Sequence, residues 1–326
     1  MTLPKLGIDI SKKTFDVALV GDPRARQHKQ HQFLNTLPGF QALQAWLSKQ
    51  GAPQVHAVLE ATGAYGDALA LFLAQAGQVV SIVNPAQIKA FGRSKLQRNK
   101  TDRADAVLIA RFAWEHNPAP WTPPTPAQQE LQALVRHLDD LLAQRTQVTN
   151  RLTDGRLTPA VQQSWEQVAA TINEQIAQIK QQINQHFAAH PTLQQQRDWL
   201  VSLPGIGPET AARLLGEMPH LAQFASARTA AAYTGLTPQR QQSGTSLNAP
   251  GRLSKLGNAR VRHALYFPAL TALRCSPQFQ AFAARLTARG KTKMQIIAAV
   301  MHKLVRLAYG VLKHQQNYDP HYALAA

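Results

Sequence analysis

The amino-acid sequence predicts a mixed α/β domain over residues 1–122, a helical arm over residues 123–190 and a mainly helical domain over residues 191–326. At 326 residues, the chain is longer than a single hydrophobic core usually organises. Short β-branched runs alternate with helical apolar spacing in its first third. Five prolines then fall within the nine residues PAPWTPPTP, at 118–126. Because proline cannot continue a helix or a central strand, this stretch predicts a stiff linker between domains.

Five strands and three helices are predicted in the first domain. The strands are expected at 6–11, 14–20, 28–35, 54–62 and 78–85; the first two are short β-branched runs, and the third is expected to be more exposed. The helices are expected at 38–50, 63–77 and 104–114, and Gly77 is predicted to close the second of them. Three consecutive strands followed by alternating helices and strands predict a mixed sheet.

The arm is predicted to consist of two long helices between residues 127 and 188, joined by a turn at 152–159. In the second helix, apolar residues recur at nearly heptad intervals. They are Val161, Trp165, Val168, Ile172, Ile176, Ile179 and Ile183. This seam could belong to a helical hairpin that packs on its own domain, or to an antiparallel coiled coil that pairs two subunits. The second interpretation is slightly favoured, because the arm lacks other obvious sequence to pack on.

The final domain contains one specific short motif, LVSLPGIGPETAARLLGEM at 200–218. A helix end, a glycine-rich turn and a new helix near Pro208 resemble a helix-hairpin-helix. In that motif Gly205 and Gly207 would let backbone N–H groups approach a phosphate, assisted by the positive end of the following helix. The alternative is a glycine-rich turn between two core helices.

The net charge of +17 is concentrated in the final third of the chain. Residues 191–326 hold 16 Lys and Arg against four Asp and Glu, whereas residues 1–125 have a net charge of +6 and residues 126–190 one of −1. Such a segregated surplus of positive charge is typical of proteins that bind a phosphate backbone. The alternative is a basic surface that has no polyanionic partner.

Three absences narrow the class of protein. The beginning of the sequence, MTLPKLGIDI, lacks the charged and apolar regions of a signal peptide. No run of about 18 apolar residues predicts a membrane span. The single cysteine, Cys275, excludes an internal disulfide and fits a reducing compartment. We therefore expect a cytoplasmic protein that has no membrane partner.

Four carboxylates stand at positions where a divalent metal could be held. Asp9 and Glu60 lie at the ends of predicted strands, and Asp102 and Asp105 are one helical turn apart in the stretch NKTDRADA. Mg²⁺ prefers oxygen ligands, and two such ions about 4 Å apart can hold the attacking and leaving oxygens of a phosphodiester. The sequence therefore predicts that the four acids can converge on a pair of Mg²⁺ ions.

These acids also have plainer interpretations. Asp9 could cap a turn after its strand, and Asp102 could be the N-cap of the helix that follows it. The stretch GIDIS also resembles the first strand of actin-like ATPases, but no matching glycine-rich phosphate loops follow it in the sequence. If the acids do hold a metal, Lys100 and Arg103 beside Asp102 are expected to bind DNA phosphates.

A polar, basic segment at 236–266 could supply a nucleophile. Ser243 precedes Gly244 there, and a serine in this setting could attack a phosphodiester. Its basic neighbours could stabilise the charge of the transition state. They are Arg240, Arg252, Lys255, Arg260 and Arg262. A Ser-Gly loop without a catalytic role is the alternative, and Thr245 and Ser246 are equal candidates.

Several motifs, taken in their order along the chain, resemble those of one family. They are GIDISK, LEATGAY, VNPAQIKAFGRS, NKTDRADA, LPGIGPETA, YTGLTPQRQQSG and RLSKLGNARVRHALY. Together they closely resemble the insertion-sequence one-ten family of transposases, which are relatives of the Piv-type DNA invertases. The likeness covers nearly the whole chain, and the middle arm is the part least alike.

The resemblance implies a RuvC-like, ribonuclease-H-like first domain and a helical C-terminal transposase domain. The acidic tetrad of the family, DEDD, falls on Asp9, Glu60, Asp102 and Asp105, and its catalytic serine falls on Ser243. The resemblance further implies that the serine forms a covalent 5′-phosphoserine linkage with DNA, that the tetrad holds Mg²⁺ near it, and that the strands are then exchanged and rejoined.

The resemblance also implies partners. A structured non-coding bridge RNA from the element would pair with target and donor DNA, so that sequence choice is delegated to RNA. The tetrad of one subunit would act with the serine of another, and dimers would meet in a tetramer. Two rival hypotheses are a metal-dependent nuclease of the junction-resolvase type, in which Ser243 is only structural, and a non-catalytic nucleic-acid scaffold.

Overall fold

The computed structural model describes residues 3–22, 28–61, 64–95, 101–153, 155–239, 242–243, 247–248 and 252–321. The chain divides into two compact units, Met1–Pro123 and Pro124–Ala326. The dividing point lies inside the proline-rich stretch, and the arm belongs to the second unit.

The first unit contains a five-stranded mixed sheet with helices on its faces. Its elements are β1 (Lys5–Ile10), β2 (Thr14–Val20), β3 (Lys29–Leu34), α1 (Leu37–Lys49), β4 (His56–Glu60), α2 (Asp67–Gln75), β5 (Val79–Val83), α3 (Pro85–Ser94) and α4 (Asp102–His116). The strand order is β3-β2-β1-β4-β5. The first three strands pair antiparallel, whereas β1, β4 and β5 pair parallel.

The predicted mixed sheet is confirmed. All five strands form where the sequence places them, and the edge strand β3 is the exposed one. Gly77 adopts φ 76° just after α2, as expected of a residue that ends a helix. Helix α3 was not predicted. It begins at Pro85, and Asn84 caps it by accepting a hydrogen bond from the backbone N–H of Ala86.

Alternate residues of β1 face opposite sides of the sheet. Ile8 and Ile10 belong to the larger core, which also contains buried residues of α1 and α2. Gly7 and Asp9 face the other side, where α4 packs against β1. A second core on that side contains apolar residues of α3 and α4. The central strand therefore carries its functional candidate on the face that α4 covers.

The second unit is mainly helical. Its elements are α5 (Pro126–Leu152), α6 (Pro159–Ala189), α7 (Pro191–Val201), α8 (Pro208–Glu217), α9 (Ala227–Tyr233), β6 (Pro238–Gln239), β7 (Gln242–Ser243), β8 (Leu247–Asn248), β9 (Arg252–Leu253), α10 (Ala259–Ala264), α11 (Tyr266–Cys275), α12 (Pro277–Ala288) and α13 (Lys293–His314). One continuous core contains buried residues from α5 to α13.

The two arm helices, α5 and α6, pack against each other, and the base of α5 also packs on α8. Val135 lies so near Gly216 of α8 that an added Cβ at residue 216 would stand 2.8 Å from its Cγ2 atom. Gln132 donates a hydrogen bond to the Gly216 carbonyl oxygen at 3.0 Å. The premise that the arm lacks other sequence to pack on is therefore wrong for its base. Nearer the turn, Val161 and Val168 are 44% and 39% exposed.

Helix α13 is long and apolar enough to cross a membrane by length and composition alone. Half of its most apolar 18-residue stretch is buried inside the second unit. Val300, Leu304 and Ala308 have no exposed surface. It is the central helix of this unit's core, and among the described residues it is the one helix that meets those two criteria.

Candidate functional site

Asp9 and Glu60 are brought side by side by the parallel pairing of β1 with β4. Ile8 lies opposite Leu59 in the register, so the next residue of each strand stands at the carboxyl end of the pair. Both carboxylate residues are half-buried. Because β4 presents Val58 and Glu60 to the same side, Glu60 shares the face of the sheet on which Asp9 lies.

Helix α4 runs antiparallel to β1 across this face. At the C-terminal end of α4, the side chain of Asn117 accepts a hydrogen bond from Lys5 of β1 at 2.9 Å. In its middle, a Cβ added to Gly7 would lie 2.1 Å from the carbonyl oxygen of Ala106 and 2.4 Å from the nitrogen of Ala110. Asp9 is the next residue of β1 on that face, so it is directed towards the beginning of α4.

The beginning of α4 supplies the other two predicted carboxylates. Thr101 is the N-cap, and its hydroxyl accepts a hydrogen bond from the backbone N–H of Ala104 at 3.2 Å. The interpretation of Asp102 as the N-cap is therefore wrong. Asp102 is the first helical residue and Asp105 lies in the same first turn, where the positive end of the helix dipole stabilises carboxylates.

The carboxyl group of Asp9 is influenced by the negative charges of other acids. The pKa of Asp9 is raised to about 6, first by burial and then by the negative charges of nearby carboxylates. Those carboxylates belong to Asp102, Asp105, Glu60 and Asp16. The structure thus brings together the four acids that the sequence singled out, around the half-buried Asp9.

Asp16 is an acid that the sequence analysis missed. It lies on β2 directly opposite Asp9 and is only 4% exposed. One of its oxygens accepts a hydrogen bond from the side-chain amide of Gln32 at 2.8 Å, on the neighbouring strand β3. The signal was available in the sequence, because TFDVALV contains a single acid within an otherwise apolar strand pattern.

The donor set at this site consists of carboxylates, which is the chemistry that hard divalent cations prefer. Among the described residues, however, no three His, Cys, Asp or Glu side chains are grouped closely enough to hold a metal ion as they stand. Burial first, and then the neighbouring carboxylates, raise the pKa of Asp9, and a bound cation would offset the repulsion among these carboxylates. The residues therefore fit a divalent cation by chemistry and charge.

The predicted nucleophile lies in the second unit. Ser243 is on β7, which pairs antiparallel with β8 so that Ser243 stands opposite Leu247. A second pair, β6 with β9, flanks this pair in the sequence, and in it Gln239 stands opposite Arg252. Two of the predicted phosphate-binding residues, Lys100 and Arg240, lie outside the described residues, as do the alternative nucleophiles Thr245 and Ser246.

The remaining predicted phosphate ligands differ in whether their side chains are exposed or already hydrogen-bonded within the chain. Arg103, Arg252 and Lys255 are exposed. Arg262 donates hydrogen bonds to the carbonyl oxygens of Thr234 at 2.9 Å and Gly257 at 3.2 Å, so its guanidinium closes the turns around it.

Arg260 lies beside a buried acid. Its Nε is 3.9 Å from Glu217, which is 6% exposed. Glu217 also accepts hydrogen bonds from Arg136 at 2.7 Å and from Asn258 at 3.1 Å. Glu217 therefore connects the arm to the segment that leads from Ser243 into α10, and Arg260 is partly neutralised there.

In the glycine-rich turn between α7 and α8, one of the two glycines packs against another helix of the same unit. Gly205 adopts φ 84°, and a Cβ there would lie 2.3 Å from the carbonyl oxygen of Pro268 on α11. Its lack of a side chain is needed for that contact. Gly207 meets nothing within 4 Å on its Cα face and is the N-cap of α8. Phosphate binding at Gly205 and Gly207 stays a prediction.

Comparison with known proteins assigns the chain to a family. One family model, described as a transposase and specific to the DEDD domain of IS110, matches residues 6–155. A second, described as a transposase of the IS116/IS110/IS902 family, matches residues 197–284. The pilin gene-inverting proteins of Moraxella bovis and Moraxella lacunata are each 33% identical over 325 residues, which cover 98% of this chain and 98% of each relative. The chain belongs to the IS110 family of transposases.

A more distant relative agrees with this assignment. The transposase for insertion sequence element IS1328 of Yersinia enterocolitica is 26% identical over 291 residues, 80% of this chain and 81% of that protein. The IS110 family comprises DNA transposases and recombinases, and this chain is an enzyme of that class. A DEDD transposase domain implies a RuvC-like fold, with which the mixed sheet is consistent, and suggests the use of a divalent metal.

Proposed function

We propose that this IS110 transposase cuts, exchanges and rejoins the DNA strands of a mobile element through a covalent intermediate on Ser243. The observation that carries the proposal is the gathering of Glu60, Asp102 and Asp105 around Asp9, at the carboxyl ends of β1 and β4 and the beginning of α4. The likeness to gene-inverting proteins supports strand exchange rather than simple cutting, because inversion requires that cut strands are rejoined.

The proposed covalent step is a transfer of a phosphoryl group. The Ser243 hydroxyl oxygen attacks a DNA phosphodiester, and the bond from phosphorus to the 3′ oxygen breaks. The serine proton is removed, the departing 3′ oxygen takes up a proton, and the 5′ phosphate stays on the serine. Attack by a 3′ hydroxyl of the exchanged strand then reverses the step and frees the serine.

The tetrad would hold the divalent metal. Asp9, Glu60, Asp102 and Asp105 are the proposed ligands, and Mg²⁺, as two ions, is the proposed metal. When bound, the metal supplies positive charge that offsets the negative charge of the phosphate and of the acids themselves. Asp16, buried opposite Asp9, adds to the negative charge that this site must balance.

Basic residues would hold the nucleic acid. Arg103 is exposed beside Asp102, and Arg252 and Lys255 are exposed in the segment between Ser243 and α10. These side chains bind phosphates without reading bases. We propose that an element-encoded bridge RNA pairs with the DNA and supplies the sequence choice, and that this basic protein binds the backbones of both.

The arm would serve assembly. Val161 and Val168 leave apolar surface exposed on the seam of α6, although the base of α5 packs within its own unit. We propose that the arms pair two chains, that two such dimers form a tetramer on DNA, and that the tetrad of one subunit acts with Ser243 of another. The reaction would take place in the cytoplasm, at the nucleoid.

One experiment tests the covalent step. Protein purified together with the element-derived RNA is incubated with end-labelled element DNA and Mg²⁺, and protein-linked DNA is separated by denaturing electrophoresis. We expect an adduct for the natural sequence and none for Ser243→Ala, while Cys275→Ser, which removes another nucleophilic side chain, leaves it unchanged. An undiminished adduct in Ser243→Ala contradicts the proposal.

A second experiment tests the bridge RNA. The protein is purified from cells that carry the flanking element DNA, and the RNA that co-purifies is sequenced. Enrichment of an element-derived transcript is expected. A preparation that is active but contains no such transcript contradicts the proposed role of RNA.

A metal-dependent nuclease without a covalent intermediate is the second candidate. It is favoured by one observation, which is that all four carboxylates lie in the first unit, whereas the serine belongs to the second. This candidate predicts free 5′ phosphate ends with no protein attached, and activity that survives Ser243→Ala.

A further inference from the structure

A large groove lies within the second unit, and three of the predicted phosphate ligands, Arg252, Lys255 and Arg262, line part of it. Its volume is about 1820 Å³, and its lining residues come from the segment 252–266 and from α12, α13 and the residues after α13. Among the described residues that line it, seven are Lys or Arg and one, Asp319, is acidic. The groove is therefore strongly positive.

Three of these cations form a cluster on α12 and α13. Lys303 Nζ lies 5.0 Å from the ring centre of Phe282, and the guanidinium carbon of Arg285 lies 5.9 Å from the same ring. The pKa of Lys303 is lowered, first by burial and then by the positive charges of Arg285 and Arg306. The three cations thus lie near one another at the wall of the groove, and two of them, Lys303 and Arg285, lie near the same aromatic ring.

No acid balances this cluster within the described part of the chain. The ion pairs found there connect other Lys and Arg residues to acids, and none of them includes Arg285, Lys303 or Arg306. Like charges held together in this way repel one another and destabilise the folded chain. A polyanion bound in the groove would remove that repulsion, which gives the cluster a physical reason to exist.

The walls of the groove are apolar as well as charged. Phe282 and Tyr266 are half-buried in its lining, and Met294 is 60% exposed there. A duplex presents phosphates outside and keeps its bases stacked inside, so it would leave such walls without a partner. A single strand offers both unstacked bases and phosphates, and single-strand binding grooves combine cations with aromatic side chains.

We propose that this groove binds a single strand of nucleic acid, with phosphates at Arg285, Lys303 and Arg306 and bases against Phe282, Tyr266 and Met294. The proposal rests on the proposed function, because strand exchange and a guide RNA both present single strands. Lys303 and Arg306 lie beyond both of the ranges matched by the family models. The shared chemistry is the phosphodiester backbone, and the experiment distinguishes DNA from RNA.

The test measures the binding of labelled oligonucleotides to the full-length protein by fluorescence anisotropy. The probes are a single-stranded DNA, an RNA of the same sequence, and the matching DNA duplex. Lys303→Gln with Arg306→Gln alters the groove. Lys293→Gln with Lys313→Gln is the matched control, since it removes the same charge from two exposed residues of α13 that do not line the groove.

We expect the groove variant to weaken binding of at least one single strand by about tenfold or more, because two charge-assisted contacts are lost. The salt dependence of that binding should fall by about 1.4 in log–log slope, since each single-strand phosphate contact contributes about 0.7. The control should change affinity by less than about twofold. Loss with RNA alone or DNA alone supports the groove and identifies the strand that it holds.

Three results would overturn the proposal. They are unchanged binding in the groove variant, an equal loss in the control, or an equal loss with the duplex probe. Circular dichroism melting shows whether the groove variant is folded, and Phe282→Leu, a second variant that keeps all the charges, should weaken oligonucleotide binding without affecting binding of inorganic polyphosphate. Ser243→Ala should bind single strands normally, so that failure of the groove and failure of the proposed chemistry can be told apart.

Discussion

Gly7 of β1 lies so close to Ala106 of α4 that a Cβ atom at residue 7 would stand 2.1 Å from the Ala106 carbonyl oxygen. This contact sets the distance between the central strand and the helix that carries Asp102 and Asp105. Since Asp9 is two residues further along the same face of β1, the contact also determines how near Asp9 comes to those two acids.

Gly7→Ala is therefore predicted to separate α4 from β1. The free energy of unfolding should fall by about 1–3 kcal/mol, as expected when extra volume is forced into a packed contact. Mg²⁺-dependent DNA cleavage should fall further than stability alone explains, because the carboxylates move apart. Gly21→Ala is the matched control, since a Cβ there meets nothing within 4 Å. Urea denaturation and a cleavage assay measure both effects, and equal behaviour of the two variants contradicts the packing argument.

Glu217 is predicted to hold the arm together with the segment that leads from Ser243 into α10. Replacement by Gln removes a charge that is bound by Arg136 and Asn258, and should lower the unfolding free energy by about 1–3 kcal/mol. Glu209→Gln, whose ion pair with Lys180 is half-exposed, should change it by less than about 1 kcal/mol. If Glu217→Gln is as stable as Glu209→Gln, then Glu217 does not connect these parts.

A buried row of hydrogen-bonded side chains in the first unit predicts that stability depends on pH. His56 is 4% exposed and lies between the ammonium of Lys5, at 2.8 Å, and the hydroxyl of Ser81, at 2.7 Å. Burial, and then the charge of Lys5, lower its pKa from 6.5 to about 4. Between pH 6.5 and pH 4, the imidazole of His56 is therefore protonated in the unfolded chain but stays neutral in the folded chain. The contribution of His56 to the free energy of unfolding is present above pH 6.5 and is lost as the pH falls towards 4.

The comparison of the natural sequence with His56→Gln isolates this effect from the carboxylates. The difference in unfolding free energy between the two proteins should shrink as the pH falls from 6.5 to 4. Denaturant titrations at several pH values measure it. A difference that stays constant across this range contradicts the lowered pKa of His56.

The arm gives a prediction about assembly. Val161→Lys combined with Val168→Lys places charges on the exposed seam of α6, and the mass measured by light scattering should fall from that of a dimer or tetramer to that of a single chain. Gln163→Lys with Gln167→Lys adds the same charges on the opposite, exposed side of the helix and should leave the mass unchanged. A natural protein that is already monomeric, or a mass unaffected by the valine changes, contradicts pairing through the arm.

Much of the first unit could be predicted because its strands are short, β-branched and bounded by clear turns. The four acids could also be found, since each lies at the end of a strand or the start of a helix. Asp16 was missed because its importance depends on register, which places it opposite Asp9. Helix α3, PAQIKAFGRS, was missed because it is only ten residues long and few of its residues are apolar, although Ile88 and Phe91 are buried on one face.

The second unit was harder to predict because its features depend on contacts between distant residues. Gly205 reads as a phosphate-binding glycine, yet its Cα face packs on Pro268. Arg260 and Arg262 read as free cations, yet they lie against Glu217 and backbone carbonyls. The cluster of Arg285, Lys303 and Arg306 becomes visible only when α12 and α13 are placed side by side.

The carboxylates around Asp9 are proposed to form a site that acts on DNA with a divalent cation. The most direct measurement compares Mg²⁺-dependent strand cleavage by the natural protein with that by Asp102→Asn, using Asp140→Asn, an exposed residue of α5, as the control for the same loss of charge. Cleavage should fall by at least about 100-fold in Asp102→Asn, as is usual when an electrostatic catalytic group is removed, and persist in Asp140→Asn. Undiminished cleavage by Asp102→Asn would contradict the proposal that these carboxylates form the metal-dependent site.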